Sequence, residues 1–383
     1  MTGFLGEDQV RKVKEAVDLV QAVGAYTTVQ KAGRNFKACC PFHQERTPSF
    51  YIYTDEQTYH CFGCGAHGDV ITLVRTKENL EFSDAVELLA RRAGIELVYR
   101  DAGPGHLQRG ERDRLLEVMD RATRFYEHFL WNDPAGAEAR AYLASRGLRE
   151  EVCRRFRLGW APGRGRLVQA ARKQGISAEV LGSLDLAMQR DSGWSDRFFE
   201  RLMFPICNRF GAPIAFSGRL LPAAERAAKE AGRGVGKYVN STDTPLYHKS
   251  SVVFNLHQAR AVCRERGRLV VMEGPTDVMA ADQAGYGECV AVLGTALTET
   301  HVRQLGAVIS GHGQVVLLFD GDAAGQANSL KAVRTCLSCG VPCRVVVLPD
   351  EFDPAEMLAE GGDDGKARFD RAVQSPSLSP AAL

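Results

Sequence analysis

Val10, Val13, Val17 and Val20 recur near helical spacing among polar neighbours, so residues 7–23 read as one amphipathic helix. A cysteine-rich stretch follows, with the strand-like run "SFYIYT" inside it. "DVITLVRTKENLEFSDAVELLARRAGI" reads as two helices, the second capped by Ser83. Residues 100–113, "RDAGPGHLQRGERD", are polar and glycine-rich, as a linker is. From 112 to about 180 the apolar positions follow a helical period again. Between 195 and 255 short apolar runs alternate with turn residues and predict strands. Beyond 266 the pattern becomes strand–helix alternation. "RLVVMEG", "CVAVLGT", "QVVLLFDGD" and "CRVVVLPD" are the strands, and "PTDVMAADQAG", "TETHVRQLGAVISG" and "AAGQANSLKAVRTCLSCG" the helices between them. Strands that are apolar at successive positions and set between helices imply a mainly parallel sheet covered on both faces. The terminal "SPSLSPAAL" shows no period and is expected to be unstructured, and no internal repeat is present.

The pattern predicts an α+β multidomain chain. A small cysteine-rich domain spans 1–100, a linker 101–111 and a basic α+β subdomain 112–265. An α/β domain with a mainly parallel sheet spans 266–350, and 351–383 holds the start of a helical subdomain and a disordered tail. At 383 residues the chain has room for two or three cores. It has no apolar run long enough to span a bilayer. "MTGFLGEDQVRKVKEAVDLV" carries acids and is neither a signal peptide nor a transit peptide. A cytoplasmic protein is expected, in which eleven cysteines serve as thiols or metal ligands rather than disulfides. The formal net charge of +1 hides an asymmetry. Residues 111–250 hold 24 Lys and Arg against 17 Asp and Glu, whereas 251–383 hold 11 against 16. A basic middle suits a polyanion and an acidic end can hold cations, although scattered surface charge accounts for much of the difference.

Cys40-x-x-His43 and Cys61-x-x-Cys64 form two knuckles. A two-residue gap lets both members point at one ion, and three thiolates with one imidazole suit tetrahedral Zn²⁺. Four protein ligands fill the coordination sphere, so the site is structural, and binding adds folding free energy to a small domain. Cys39 could replace Cys40 by register alone, but Cys40 keeps the gap. The alternative is four reduced side chains in a core. His60 and His67 read as surface or hydrogen-bonded residues. Arg34, Lys37 and Arg46 lie among Phe42, Phe50, Tyr51, Tyr53 and Tyr59, a mixture that can pair phosphates and stack bases of a single strand. Phe42, Phe50 and Phe62 are expected mostly in the core, with some tyrosines exposed. Cys336, Cys339 and Cys343 lack a fourth ligand and read as buried thiols.

Glu273 ends one predicted strand, Asp320 and Asp322 another, and Asp353 follows a third. Sites in open α/β sheets lie at the carboxyl ends of the strands, so these carboxylates can converge there. Such a cluster repels itself unless cations sit within it, and Mg²⁺ takes oxygen ligands while leaving room for phosphate. Gly274, Gly321 and Gly325 allow close approach of backbone and phosphate. Lys237 follows Gly236, but Tyr238 stands where a phosphate-binding P-loop needs Ser or Thr.

From the N-terminus to about residue 370 the chain resembles bacterial replicative primases of the DnaG type. "CCPFHQERTPSF" with "YHCFGCGAHGD" looks like that family's N-terminal zinc ribbon. "VVMEGPTDVMAADQAG", "VAVLGTALT" and "LFDGDAAG" look like its toprim fold. The resemblance implies a catalytic Glu273 with the pair Asp320 and Asp322, holding two Mg²⁺ or Mn²⁺ beside one structural Zn²⁺. Asp277 matches a further acidic position. "LPDEFDPAEML" matches a pattern ending in D-P-D, with Asp353 kept and Ala355 in place of the second aspartate, so a weaker or differently completed second metal site is expected. "FSGRL" and "GKYVNSTDTPLYHK" carry Arg219, Lys237, Asn240 and Lys249 over as binders of nucleoside triphosphate or template, and "YLASRGL" adds Arg146. The bottom-up reason agrees, since preorganised cations stabilise charge developing on a transferred phosphate.

The activity so implied is template-directed synthesis of RNA primers on single-stranded DNA from ribonucleoside triphosphates, with the zinc domain helping to choose the start. The implied state is a monomer with a replicative helicase and a single-stranded DNA-binding protein as partners. Family members carry a further C-terminal helical domain that docks on the helicase. None is expected here, so the chain is a fragment or meets its helicase in another way. One rival is another toprim enzyme, a topoisomerase or nuclease. The first needs a tyrosine in a larger body after toprim, and the second often carries an ATPase. The other rival is a non-catalytic single-strand binder, which Ala355 favours and the retained Glu273, Asp320 and Asp322 oppose.

Overall fold

The computed structural model describes residues 4–78, 80, 82–97, 99–100, 109–294, 296–309, 313–319, 323–347, 354–360 and 362–374. The chain divides into two compact units, Met1–Arg109 and Gly110–Leu383.

The first unit opens with two helices, Glu7–Ala16 and Leu19–Gly24, where the valine pattern predicted one. Val17 is extended (φ −109°, ψ 114°), and the Asp18 carboxylate caps the second helix by accepting the Gln21 N–H at 3.0 Å. That local bond competes with continuation of the first helix. An antiparallel meander follows: β1 (Val29–Ala32), β2 (Asn35–Ala38), β3 (Phe50–Tyr53), β4 (Thr58–Cys61) and β5 (His67–Gly68), paired in that order. Alternation along β3 and β4 turns Phe50, Ile52, Tyr59 and Cys61 inward, against Val13, Leu19 and Val23 and the helices Val70–Glu78 and Phe82–Arg92. The second of these begins at Phe82, so Ser83 falls inside its first turn. The register places Lys37, Tyr51, His60 and His67 side by side in one row. Phe4–Leu5 pairs with Tyr99–Arg100 and closes the unit.

The second unit starts within the helix Arg109–Trp131, which takes over the last residues of the expected linker. Its first sheet is antiparallel: β6 (Gly159–Ala161), β7 (Arg201–Cys207), β8 (Pro213–Leu220) and β9 (Tyr238–Asn240), in the spatial order β9-β8-β7-β6. The central strands are buried at almost every position. A helix over Pro222–Glu230 interrupts the expected run of strands. It starts with proline, which suits a first helical position, and Ala228 is its one buried residue.

The second sheet is wholly parallel: β10 (Arg268–Met272), β11 (Cys289–Ala291), β12 (Gln314–Phe319) and β13 (Cys343–Val347), in the order β11-β10-β12-β13. Helices Pro275–Gln283, Glu299–Val308 and Ala323–Ser338 make the crossovers. One continuous core joins the two sheets through Leu202, Phe204, Val270, Met272 and Leu318, and it takes in Ala355, Met357, Phe369 and Val373 from the helices Pro354–Glu360 and Gly362–Gln374. Cys336 is buried in a second core, with Cys339 and Cys343 packed against it. The terminal "SPSLSPAAL" lies outside the described residues. Among the described residues no helix is long and apolar enough to cross a membrane.

Candidate metal centre and nucleotide-binding face

In the first unit, Cys40 follows the end of β2, Cys61 ends β4, and His43 and Cys64 sit in the turns that follow each. Their ligand atoms lie within 4.8 Å of one another. Cys40 Sγ is 3.8 Å from Cys64 Sγ, and Cys61 Sγ is 3.9 Å from His43 Nδ1. A tetrahedron built on Zn–S bonds of about 2.3 Å has S···S edges of about 3.8 Å. Donor set and spacing therefore fit zinc, with Cys40 rather than Cys39 in the group. Burial pushes the Cys40 thiol up to about 12. Burial raises Cys61 too, but hydrogen bonds from the Ser49 hydroxyl and the Cys64 and Gly63 N–H groups outweigh it and bring that thiol down to about 7. A coordinated ion removes the proton from each thiol outright.

Glu45 organises this site, and the sequence reading did not single it out. Its Oε2 lies 3.3 Å from His43 Nε2, which leaves Nδ1 facing the thiols. Glu45 also accepts the Cys40 N–H at 2.6 Å, the Ser49 N–H at 3.1 Å and the Ser49 hydroxyl at 2.5 Å. These bonds, that from Ser49 first, hold its carboxyl below the usual range. Gly63 closes the shell, since a Cβ there would stand 2.8 Å from both the His43 ring and Ser49 Oγ. The usable signal was a carboxylate two residues beyond a ligand histidine.

Phe50 and Tyr59 are buried and stacked at 4.8 Å, and Phe42 packs partly over them. Phe62 departs from expectation: it is 65% exposed, edge-on to Tyr51 at 5.5 Å and to His60 at 4.6 Å. Strand alternation ends at Cys61, so the next side chain leaves the inward face. His67 is exposed and stacks on His60 at 6.2 Å. Arg34 and Arg46 are exposed and Lys37 half-buried.

In the second unit Glu273 is half-buried just past the end of β10. Asp277 is the third residue of helix Pro275–Gln283, and its Oδ2 accepts the Gly274 N–H at 3.0 Å. β10 and β12 run side by side, Val271 opposite Leu317. Asp320, Gly321, Asp322 and Asp353 lie outside the described residues. Gly325 falls in the helix Ala323–Ser338.

Arg219 and Tyr238 face each other across β8 and β9. Arg219 donates to Tyr238 Oη at 2.7 Å, and its guanidinium carbon lies 5.2 Å from the Tyr238 ring and 5.0 Å from the Tyr142 ring. Asn240 ends β9 with its Oδ1 buried and unpaired, and its amide lies against Gly294, three residues beyond β11. Gly294 has φ +66°, and a Cβ there would overlap that amide. Lys237 and Lys249 are exposed. The Lys249 carbonyl lies 3.1 Å from His301 Nε2. Arg146 pairs with Glu356 at 3.0 Å, in the helix that contains Ala355. Asn240 thus meets the loop after β11, two residues along β9 from the Tyr238 that holds Arg219, while Lys237 and Lys249 stand at the surface nearby in sequence. Sequence reasoning missed Arg201, whose buried guanidinium donates to the carbonyls of Gly218 (3.0 Å), Gly236 (3.1 Å) and Lys237 (3.3 Å). Its position at the head of an apolar strand gave no signal of that role.

Three family models match in series: a CHC2 zinc finger over residues 5–103, the N-terminal domain of the DNA primase catalytic core over 125–260, and a Toprim domain over 267–347. The DNA primase of Chlamydia trachomatis is 36% identical over 361 residues, which are 94% of this chain and 58% of that relative. The chain therefore spans little more than half the length of that curated relative. The structure of the Aquifex aeolicus primase zinc-binding and RNA polymerase domains matches 98% of this chain and 86% of its own, at 29% identity and a TM-score of 0.60. A DnaG primase catalytic domain bound to single-stranded DNA matches 68% of this chain and 79% of its own, at 33% identity and a TM-score of 0.59.

Proposed function

The chain belongs to the DnaG-type family of primases, and from that membership we propose that it makes short RNA primers on single-stranded DNA, as a DNA-directed nucleotidyltransferase serving replication in the cytoplasm. One observation supports this reading above the others. The Asn240 amide lies on the Gly294 loop, so the basic sheet that offers Arg219 adjoins the strand ends that offer Glu273. Nucleotide phosphates held by Arg219, Lys237 and Lys249 would then lie beside the carboxylates.

Glu273, Asp320 and Asp322 would hold Mg²⁺ or Mn²⁺, with Asp277 and Asp353 beside them, since carboxylate oxygens suit these hard cations. When bound, such a pair of ions activates an attacking hydroxyl and steadies a departing pyrophosphate. Asn240 and Arg219 orient the triphosphate, and Arg201 keeps the Gly236–Lys237 backbone in place for them. Arg146 adds a cation toward the template or nucleotide, oriented by Glu356. Cys40, His43, Cys61 and Cys64 hold a structural zinc. The row of half-buried Lys37, Tyr51 and His60 beside exposed His67 and Phe62 gives a single strand cations and rings to lie on. We assign 1–100 to zinc binding, 112–265 and 266–350 to the polymerase core, and 351–383 to the start of a helical subdomain. A monomer that meets a replicative helicase and a single-stranded DNA-binding protein completes the proposal.

Zinc-replete protein incubated with single-stranded DNA of varied sequence, labelled ribonucleotides and Mg²⁺ or Mn²⁺ tests it. Short RNA from the wild type, reduced at least about 100-fold in Asp320→Ala, is expected. DNA binding without RNA on any template would replace the enzyme by a single-strand binder, and RNA made equally well by Asp320→Ala would move the catalytic centre elsewhere.

A further inference from the structure

Arg219 is held more tightly than a surface cation needs. Its guanidinium carbon packs on two rings, Tyr142 at 5.0 Å and Tyr238 at 5.2 Å, and Tyr238 Oη accepts from Nη1 at 2.7 Å. Tyr238 comes from the neighbouring strand. Tyr142 comes from the helix Ala137–Ser145, far away in sequence. An arginine packed on two rings and bonded to one of them loses side-chain freedom before any ligand arrives, and its remaining N–H groups are left for an anion. Two polar atoms of this group are buried without a well-formed hydrogen bond: Arg219 Nε and Tyr142 Oη. Their burial shows that the group is packed closely around the guanidinium. Burial raises the Tyr142 phenol, and the Arg219 and Arg146 cations beside it oppose that rise.

We propose that Tyr142 is a positioning residue for the incoming nucleotide: with Tyr238 it clamps the Arg219 guanidinium so that its edge is presented to the triphosphate. The inference rests on the nucleotide site proposed above. Tyr142 does not touch the reacting atoms. It acts through Arg219, and its ring matters more than its hydroxyl.

Three measurements on the full chain test this. The first is the affinity of a ribonucleoside triphosphate with Mg²⁺, measured by calorimetry without DNA. The second is the KM and kcat for ribonucleotides in primer synthesis. The third is a double-mutant cycle with Arg219→Ala. Tyr142→Leu is expected to weaken triphosphate binding and raise KM about tenfold while kcat changes less than about twofold, because the lost orientation acts on binding. Tyr142→Phe keeps the ring and is expected to stay within about threefold of wild type. In the Arg219→Ala background, Tyr142→Leu should add nothing further. The inference is overturned if Tyr142→Leu binds triphosphate as the wild type does, if its effect persists in full without Arg219, or if Tyr142→Phe loses as much as Tyr142→Leu. Should Tyr142→Leu fail to fold, Tyr142→His and Tyr142→Phe keep the question open to decision: a planar ring must preserve binding, and loss in both sinks the idea. Triphosphate binding that depends on Tyr142 in a protein that makes no RNA would separate a failed primase reading from a failed clamp.

Discussion

The two units solve the same problem, gathering groups that repel or compete, by opposite routes. In the first unit all four ligands and their support come from residues 40–64, so β-turns and one hairpin do the gathering. In the second, Tyr142, Arg201, Arg219, Asn240 and Gly294 come from separate elements and are brought together in a unit where a common core joins the two sheets. A local site can be lost with its small domain and leave the rest standing. A distributed site depends on packing across the whole unit.

The largest expected effect tests that independence. Zinc binding to small domains supplies roughly 10–16 kcal/mol of apparent free energy. Cys61→Ser, or a strong chelator, should release the zinc and unfold Met1–Arg109 while Gly110–Leu383 keeps its own thermal transition, checked by metal content and calorimetry. A single transition that shifts as a whole would show that the units are coupled. Glu45→Gln probes the support alone. It keeps the fold and should weaken zinc binding about 10- to 100-fold, the usual cost of losing a carboxylate behind a ligand histidine, read by competition with a chromophoric chelator. Gly294→Ala is the smallest. A left-handed backbone costs an alanine about 1–2 kcal/mol, a modest drop in melting temperature, and the displaced Asn240 amide should raise the nucleotide KM more than it lowers stability. A change in stability with KM untouched would detach Asn240 from the nucleotide.

The same contrast explains what was legible in the sequence. The knuckles at 40–43 and 61–64 could be read because their spacing is itself the geometry. The four parallel strands could be read because each is apolar over successive positions, and the observed β10 to β13 fall within them. The break at Val17–Asp18 was hidden because one side-chain oxygen outweighs a continuing valine period. The helix Pro222–Glu230 was hidden because it buries almost nothing. Phe62 was misplaced since residue type favours burial, while its position one past the end of β4 decides exposure. Tyr142 and Arg201 carry no local mark at all, because their partners lie 77 (219 − 142) and at least 17 (218 − 201) residues away.

Ala355 ties the helix Pro354–Glu360 to the core. Where the family pattern has a second aspartate, this methyl group is 4% exposed and belongs to the same apolar core as Met357, Phe369 and Val373. An aspartate at 355 would bring a carboxylate into this apolar neighbourhood, and burying a charge there is costly even at the start of a helix. Position 355 thus acts as a foothold: its side chain anchors the helix Pro354–Glu360 to the sheets and serves cohesion, not ligation.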